Sequence, residues 1–231
     1  MKTFIFIFSL MLLPALTHPQ ELYEIIDYHF DAVKQDKYNK LSGLVLTYEF
    51  KNNGETGKMI IFRKRNNKLR IEKITASDTI ITIYNNGEAY RKTGSDSVIQ
   101  KIDGREFEEL KFAADMDGYF FCYREKEHKL ELKGKEKLGN RDVFKIICVK
   151  PGGYEAVLYM DVQKYLLLET IHRFPEDDKI VEKHTRFENY KSVDGIPFPF
   201  REIVTINNET ETRNLLDVKL NLVPEDLLFI P

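Results

Sequence analysis

Phe187-Glu188-Asn189-Tyr190-Lys191-Ser192-Val193-Asp194-Gly195-Ile196-Pro197-Phe198-Pro199 is the stretch on which the reading of this chain turns. Asp194-Gly195 supplies turn residues between two segments that carry large apolar side chains, which is the pattern of a tight hairpin. Strand-like alternation follows to Asn221, and the chain closes on Phe229-Ile230-Pro231.

The same pattern recurs upstream. Leu44, Leu46, Tyr48 and Phe50 fall on one face of a period-two run, while Val45, Thr47, Glu49 and Lys51 fall on the other. Asn52-Asn53-Gly54, Asn66-Asn67, Asn85-Asn86-Gly87, Gly139-Asn140, Pro151-Gly152-Gly153 and Asn207-Asn208 punctuate further apolar runs. These residue types tolerate the positive φ angles of short hairpin loops. Short loops make successive strands antiparallel, so the chain is expected to form a meander of roughly eleven to thirteen strands.

Helical spacing is confined to two places. Leu22, Ile25, Ile26, His29, Phe30 and Val33 form one apolar stripe. The second helix is expected from Gly104 to about Asp117, with Asp103 and Glu106 as a capping box and Gly118 as its end. Two helices cover only part of the apolar face of such a meander. The sheet must therefore either curl up and fill its own interior, or curl part-way and leave an apolar trough.

Composition narrows the function classes. The formal charge is −2 over 231 residues, so no basic excess exists to bind nucleic acid through phosphates. Residues 1–17 carry Lys2, an apolar block from Phe4 to Leu13, and small residues near Ala15 and Thr17. This reads as a secretion signal and is too short for a stable membrane span, which needs ~20 apolar residues. Residues 18–231 are then expected to form a single domain, exported out of the cytoplasm. Cys122 and Cys148 would meet oxidising conditions there, either as a disulfide or as buried thiols. No nucleophile elbow, phosphate loop, dinucleotide fingerprint or metal-binding His/Cys spacing occurs, so a non-enzymatic role without cofactor or metal is expected.

Several segments resemble, in order, the LolA-like family of periplasmic lipoprotein carriers and related outer-membrane lipoprotein-sorting proteins. Ile25 to Ala32 followed by Lys40-Leu41-Ser42-Gly43-Leu44 is similar to that group's first helix and strand. Leu130 to Ile146 is similar to its central hairpin, and Leu158 to Leu166 to the following strand pair. The Val193–Pro197 turn and the Asn221 to Pro231 ending complete the likeness. The resemblance implies an incomplete antiparallel β-barrel with two helices as plug or lid. It also implies a carrier that shelters acyl chains of lipoproteins or another amphiphile for transfer toward the outer membrane, with envelope membrane proteins as donor or acceptor. An envelope sensor or interaction module on the same scaffold is the alternative.

The chain also departs from the family pattern. Val33-Lys34-Gln35-Asp36 replaces a glycine pair after the first helix. The carriers' Arg-Pro step, whose arginine helps latch the lid, stands here as Arg65-Asn66. The tryptophan with which the carriers partly line their cavities is absent.

Candidate residues follow from the period-two faces near the first helix. Leu44, Leu46, Tyr48, Phe50, Ile60, Phe62, Leu69 and Ile71 are candidates for the groove, with Leu216, Val218, Leu220 and Leu222 closing the other side. For each the competing reading is core packing. Ile25, Ile26, His29, Phe30, Val33 and Arg65 are the candidate lid residues. For His29 the competing reading is a core histidine satisfied by a backbone carbonyl.

Overall fold

The computed structural model describes residues 21–94, 98–176, 179–222 and 225–231. The secretion-signal segment lies outside them. The strands are β1 (Gly43–Asn52), β2 (Glu55–Lys64), β3 (Lys68–Ile74), β4 (Thr79–Asn85), β5 (Glu88–Thr93), β6 (Ile99–Lys101) and β7 (Lys129–Leu138). They continue as β8 (Arg141–Val149), β9 (Glu155–Asp161), β10 (Leu167–Glu176), β11 (Lys179–Val193), β12 (Ile196–Ile206) and β13 (Glu209–Leu220). Helices α1 (Leu22–Val33), α2 (Gln35–Tyr38) and α3 (Gly104–Ala114) accompany them.

All 13 strands form one antiparallel sheet in the order β6-β5-β4-β3-β2-β1-β13-β12-β11-β10-β9-β8-β7. The first and last strands pair at its centre, and β6 and β7 remain as free edges. The sheet is thus a half-open barrel, as the resemblance implied. The seam stays open where α3 and the turns after it connect the two edge strands. At the β7 edge, Lys133, Lys135 and Lys137 together with a bulge at Gly134 discourage pairing with a second sheet.

The hairpin punctuation works as its residue types require. Asp194 and Gly195 take φ of 49° and 83°, and Val193 pairs directly with Ile196. Asn53-Gly54, Asn86-Gly87 and Asn207-Asn208 also carry positive φ at both positions.

Two apolar clusters fill most of the inner face. In the first, Leu69, Tyr84 and Ala89 of β3–β5 pack with Leu110 and Ala114 of α3, and the Phe107 ring lies 5.7 Å from Tyr84. In the second, Phe144, Ile146, Leu158 and Met160 of β8 and β9 pack under Ile25 and Ile26 of α1. Helix α3 ends at Ala114, earlier than expected, and Asp103 makes no capping hydrogen bond. Glu106 pairs with Arg91 on β5 instead, so a tertiary ion pair replaces the capping box.

Strand parity departs from expectation in two places. The β1 partners of Met59 and Ile61 are Tyr48 and Leu46, so Met59, Ile61 and Arg63 face inward. Ile60 and Phe62 consequently lie on the outer face and cannot line a groove. The C-terminal segment crosses that face over the neighbouring strands β3 and β4. Phe229 is fully buried there, Asn85 Nδ2 donates to the Phe229 carbonyl at 3.2 Å, and Arg70 Nη1 donates to the Leu228 carbonyl at 3.0 Å. Phe229→Ala is expected to cost about 3 kcal/mol, read as a lowered urea midpoint, because it empties a closed site.

The second departure is a bulge. Leu46 pairs with Val218, but Tyr48 pairs with Leu215, so Leu216 is the extra residue of β13. Leu215 is buried, whereas Leu216 is 59% exposed, and Leu222, beyond the strand end, is 47% exposed. Neither Leu216 nor Leu222 closes a groove.

Of the two fates left open for the cysteines, the structure shows free thiols at both positions. Cys148 is buried in the cluster under α1, where burial pushes its thiol up to about 11, while Cys122 is exposed in the turns after α3.

Candidate functional site: an apolar cavity under the first helix

Between the two packed clusters the inner face leaves a cavity of about 330 Å³. Its roof comes from His29, Phe30 and Val33 of α1, followed by Gln35 and Tyr38 of α2. Leu44, Leu46 and Tyr48 of β1 and Arg63 of β2 make its floor. Met116 to Phe120, in the turns after α3, close one side. The opposite side is Phe187 and Tyr190 of β11 with Ile196, Pro197, Phe198, Pro199 and Glu202 of β12. The hairpin that decided the reading of the sequence therefore also supplies one wall of the site.

The candidate residues separate into groups. Leu44, Leu46, Tyr48, His29, Phe30 and Val33 meet at the cavity. Phe50, Leu69 and Ile71 share the inner face but pack into the cluster under α3, and Val218 and Leu220 pack against its edge. Ile25 and Ile26 anchor α1 to the other cluster. The β11–β12 wall and Arg63 were not among the candidates. Arg63 was legible in principle, because it shares the parity of Met59 and Ile61 once β2 is placed correctly.

Most polar side chains on the walls are already paired. His29 Nδ1 donates to the Tyr165 carbonyl at 2.6 Å, and burial lowers its pKa to about 4, which keeps the ring neutral. Tyr48 donates to Glu202 Oε1 at 3.1 Å, and Tyr190 donates to the Leu167 carbonyl at 2.8 Å. Burial raises both phenols above their ordinary range. Gln35 donates to Asn39 at 2.7 Å, and the Tyr119 hydroxyl shares a 2.6 Å hydrogen bond with His172 Nε2. Polar groups answered in this way leave the space between them to the apolar side chains.

Arg65 ties the covering segments together. Its Nε donates to the Leu41 carbonyl at 2.9 Å and its Nη2 to the Tyr38 carbonyl at 3.2 Å, and Nη1 pairs with Asp117. One guanidinium thus joins the end of α2 to the turns after α3. Arg65→Gln is expected to cost about 2 kcal/mol of global stability. It should also raise amide exchange at Tyr38–Leu41 and Asp117 well above that of β8, and uniform exchange would refute a local clasp.

A larger cleft, about 1000 Å³, lies beside the cavity and shares Phe187, Tyr190 and Pro197 with it. Arg141, Asp161, Lys164, Arg186, Glu188, Lys191 and Arg201 line it together with Leu138, Leu166 and Leu168, so its surface is a mixture of charged and apolar groups. No group of three His, Cys, Asp or Glu among the described residues is placed to hold a metal. No described helix is long and apolar enough to cross a membrane.

Neither a protein-family model nor a curated protein matches the chain. Solved structures do. A LolA superfamily protein from Nitrosomonas europaea superposes with a TM-score of 0.61 at 13% identity, over 89% of this chain and 97% of that one. The chain has the LolA-like fold. A putative outer membrane lipoprotein-sorting protein domain from Vibrio parahaemolyticus shares the LolA-like fold at a TM-score of 0.59 and 14% identity, over 89% and 94% of the two chains. A DUF1329 family protein from Desulfovibrio piger shares it at 0.60 and 13%, over 89% and 97%. At these identities the likeness is one of LolA-like architecture.

Proposed function

We propose that this protein is a non-enzymatic carrier that shelters an acyl chain, belonging to a lipoprotein or a lipid, during transfer across the periplasm toward the outer membrane. The observation that carries the reading is the apolar cavity between α1 and the inner face of the sheet, bounded by Phe30, Val33, Leu44, Leu46 and Phe198. Its volume of about 330 Å³ lies near the lower end of small-molecule sites, typically ~300–1,000 Å³, and suits one chain better than several.

Burying ten methylenes there would contribute on the order of 8 kcal/mol gross, before the cost of association. That is enough for capture without a specific polar contact, and it is weak enough to permit release. The secretion-signal reading of residues 1–17 and the LolA-like fold of the sorting domain above support placement in the periplasm. Donor and acceptor would then be proteins of the envelope membranes.

The test is organic extraction of protein purified from its envelope fraction, followed by mass spectrometry. A stoichiometric acyl-bearing molecule is expected, and it should be absent after delipidation. A partner protein recovered without any amphiphile would contradict carriage and favour an interaction module.

A further inference from the structure

Arg63 keeps one donor on the cavity wall that the protein leaves unanswered. Its Nε is buried without a hydrogen-bond partner. The two carboxylates that also line the cavity are committed elsewhere, Asp117 to Arg65 and Glu202 to Tyr48 and Arg213. Arg63 enters no ion pair among the described residues. The neighbour it does hold is the Tyr38 hydroxyl, a neutral group whose ionisation burial opposes.

A guanidinium in this position is costly. Arg63 is partly buried, and its shielded Nε lacks the partner that would offset the lost hydration. Strand β2 nevertheless sets it directly between Leu44 on β1 and Leu69 on β3. The cavity lining therefore carries one cation that its own carboxylates, Asp117 and Glu202, leave without a direct ion pair. A carboxylate or phosphate offers the planar or multidentate acceptor that a guanidinium fork fits.

We propose that Arg63, with the Tyr38 hydroxyl beside it, receives the anionic head of a single-chain amphiphile, a fatty carboxylate or an alkyl phosphate monoester. The hydrocarbon tail lies against Leu44, Leu46 and Phe198. This assignment rests on the acyl-binding reading above and narrows its cargo.

The test is displacement of a fluorescent acyl probe from the delipidated protein by palmitate, hexadecyl phosphate and hexadecanol, with acetate and inorganic phosphate as head-group controls. Both anionic amphiphiles are expected to bind at least about tenfold more tightly than hexadecanol. Neither small anion should displace the probe at millimolar concentration. Arg63→Gln should erase the preference by weakening the anionic ligands alone, and Arg63→Lys should retain part of it.

Equal affinity of palmitate and hexadecanol for the unaltered protein would overturn the assignment while leaving acyl binding intact. Displacement by inorganic phosphate alone would replace the amphiphile with a small-anion site. If neither palmitate nor hexadecanol binds, the acyl-binding reading falls together with this one. The comparison on the unaltered protein decides even if the Arg63 variants fold poorly.

Discussion

Replacing Val33 with tryptophan is expected to weaken acyl-chain binding about a hundredfold while changing the thermal midpoint by only a few degrees. Val33 ends α1 and lines the cavity without being fully buried, so an indole there can turn into the open volume. Displacing about four methylenes of ligand removes roughly 3 kcal/mol of transfer free energy, which corresponds to that factor. Leu216→Trp is the matched control, because its side chain stands exposed on the bulge of β13. The natural chain contains no tryptophan, so each variant carries a single indole whose emission reports its surroundings. Val33→Trp should emit at shorter wavelength than Leu216→Trp. Unchanged affinity in Val33→Trp would place the ligand outside the cavity.

Acid should destabilise the fold from about pH 6.5 downward. His29 is lowered from 6.5 to about 4 by burial, against a smaller opposing effect of its hydrogen bond to Tyr165. His172 is lowered to about 3, chiefly by burial and further by the positive charges of Lys150 and Lys183. Both rings are neutral in the folded protein at pH values where the unfolded chain already binds protons. Their contribution is therefore complete above the unfolded value of 6.5 and is lost as pH falls toward 4 and then 3.

Between pH 6.5 and 4.5 the two rings together withdraw on the order of 5 kcal/mol, which rivals the total stability of an ordinary domain. Neighbouring charges lower Glu211 and Asp226, so those carboxylates act below this window. Thermal midpoints measured from pH 7.5 to 4.5 should fall progressively once below about 6.5. His29→Gln, less stable at neutral pH, should show a shallower decline. A flat profile to pH 4.5 would contradict the buried, neutral assignment.

The sequence made the strand parity legible wherever one face of a strand meets water. Leu44–Phe50 is such a case, because Thr47, Glu49 and Lys51 mark the other side, and its inward face is the one expected. Strand β2 misled for the opposite reason. Met59-Ile60-Ile61-Phe62 is apolar on both faces, since the inner one packs in the core and the outer one adjoins the β3–β4 surface that the C-terminal segment carrying Phe229 crosses. No local pattern can reveal a cover supplied from more than 150 residues away. In β13, alternation breaks at Leu215-Leu216 because a bulge inserts one residue, and two adjacent leucines give no sign of which one turns inward.

The site was legible in a similar, partial way. Helical spacing placed His29, Phe30 and Val33 together, and alternation placed Leu44 and Leu46. Phe187, Tyr190 and Ile196–Pro199 were noticed as a fold marker and not as a wall, because β12 reaches the cavity only through pairing across the whole sheet. Lys34 adopts φ 57° after α1, so the chain bends there without the glycine pair of the carriers.

The central claim is that the space beneath α1 takes up hydrocarbon. Affinities of delipidated protein for straight-chain alcohols of increasing length measure that directly. The account predicts a dissociation constant that falls roughly fourfold per added methylene until the cavity is filled, and then levels off. An affinity independent of chain length, or no binding at any length, would contradict it.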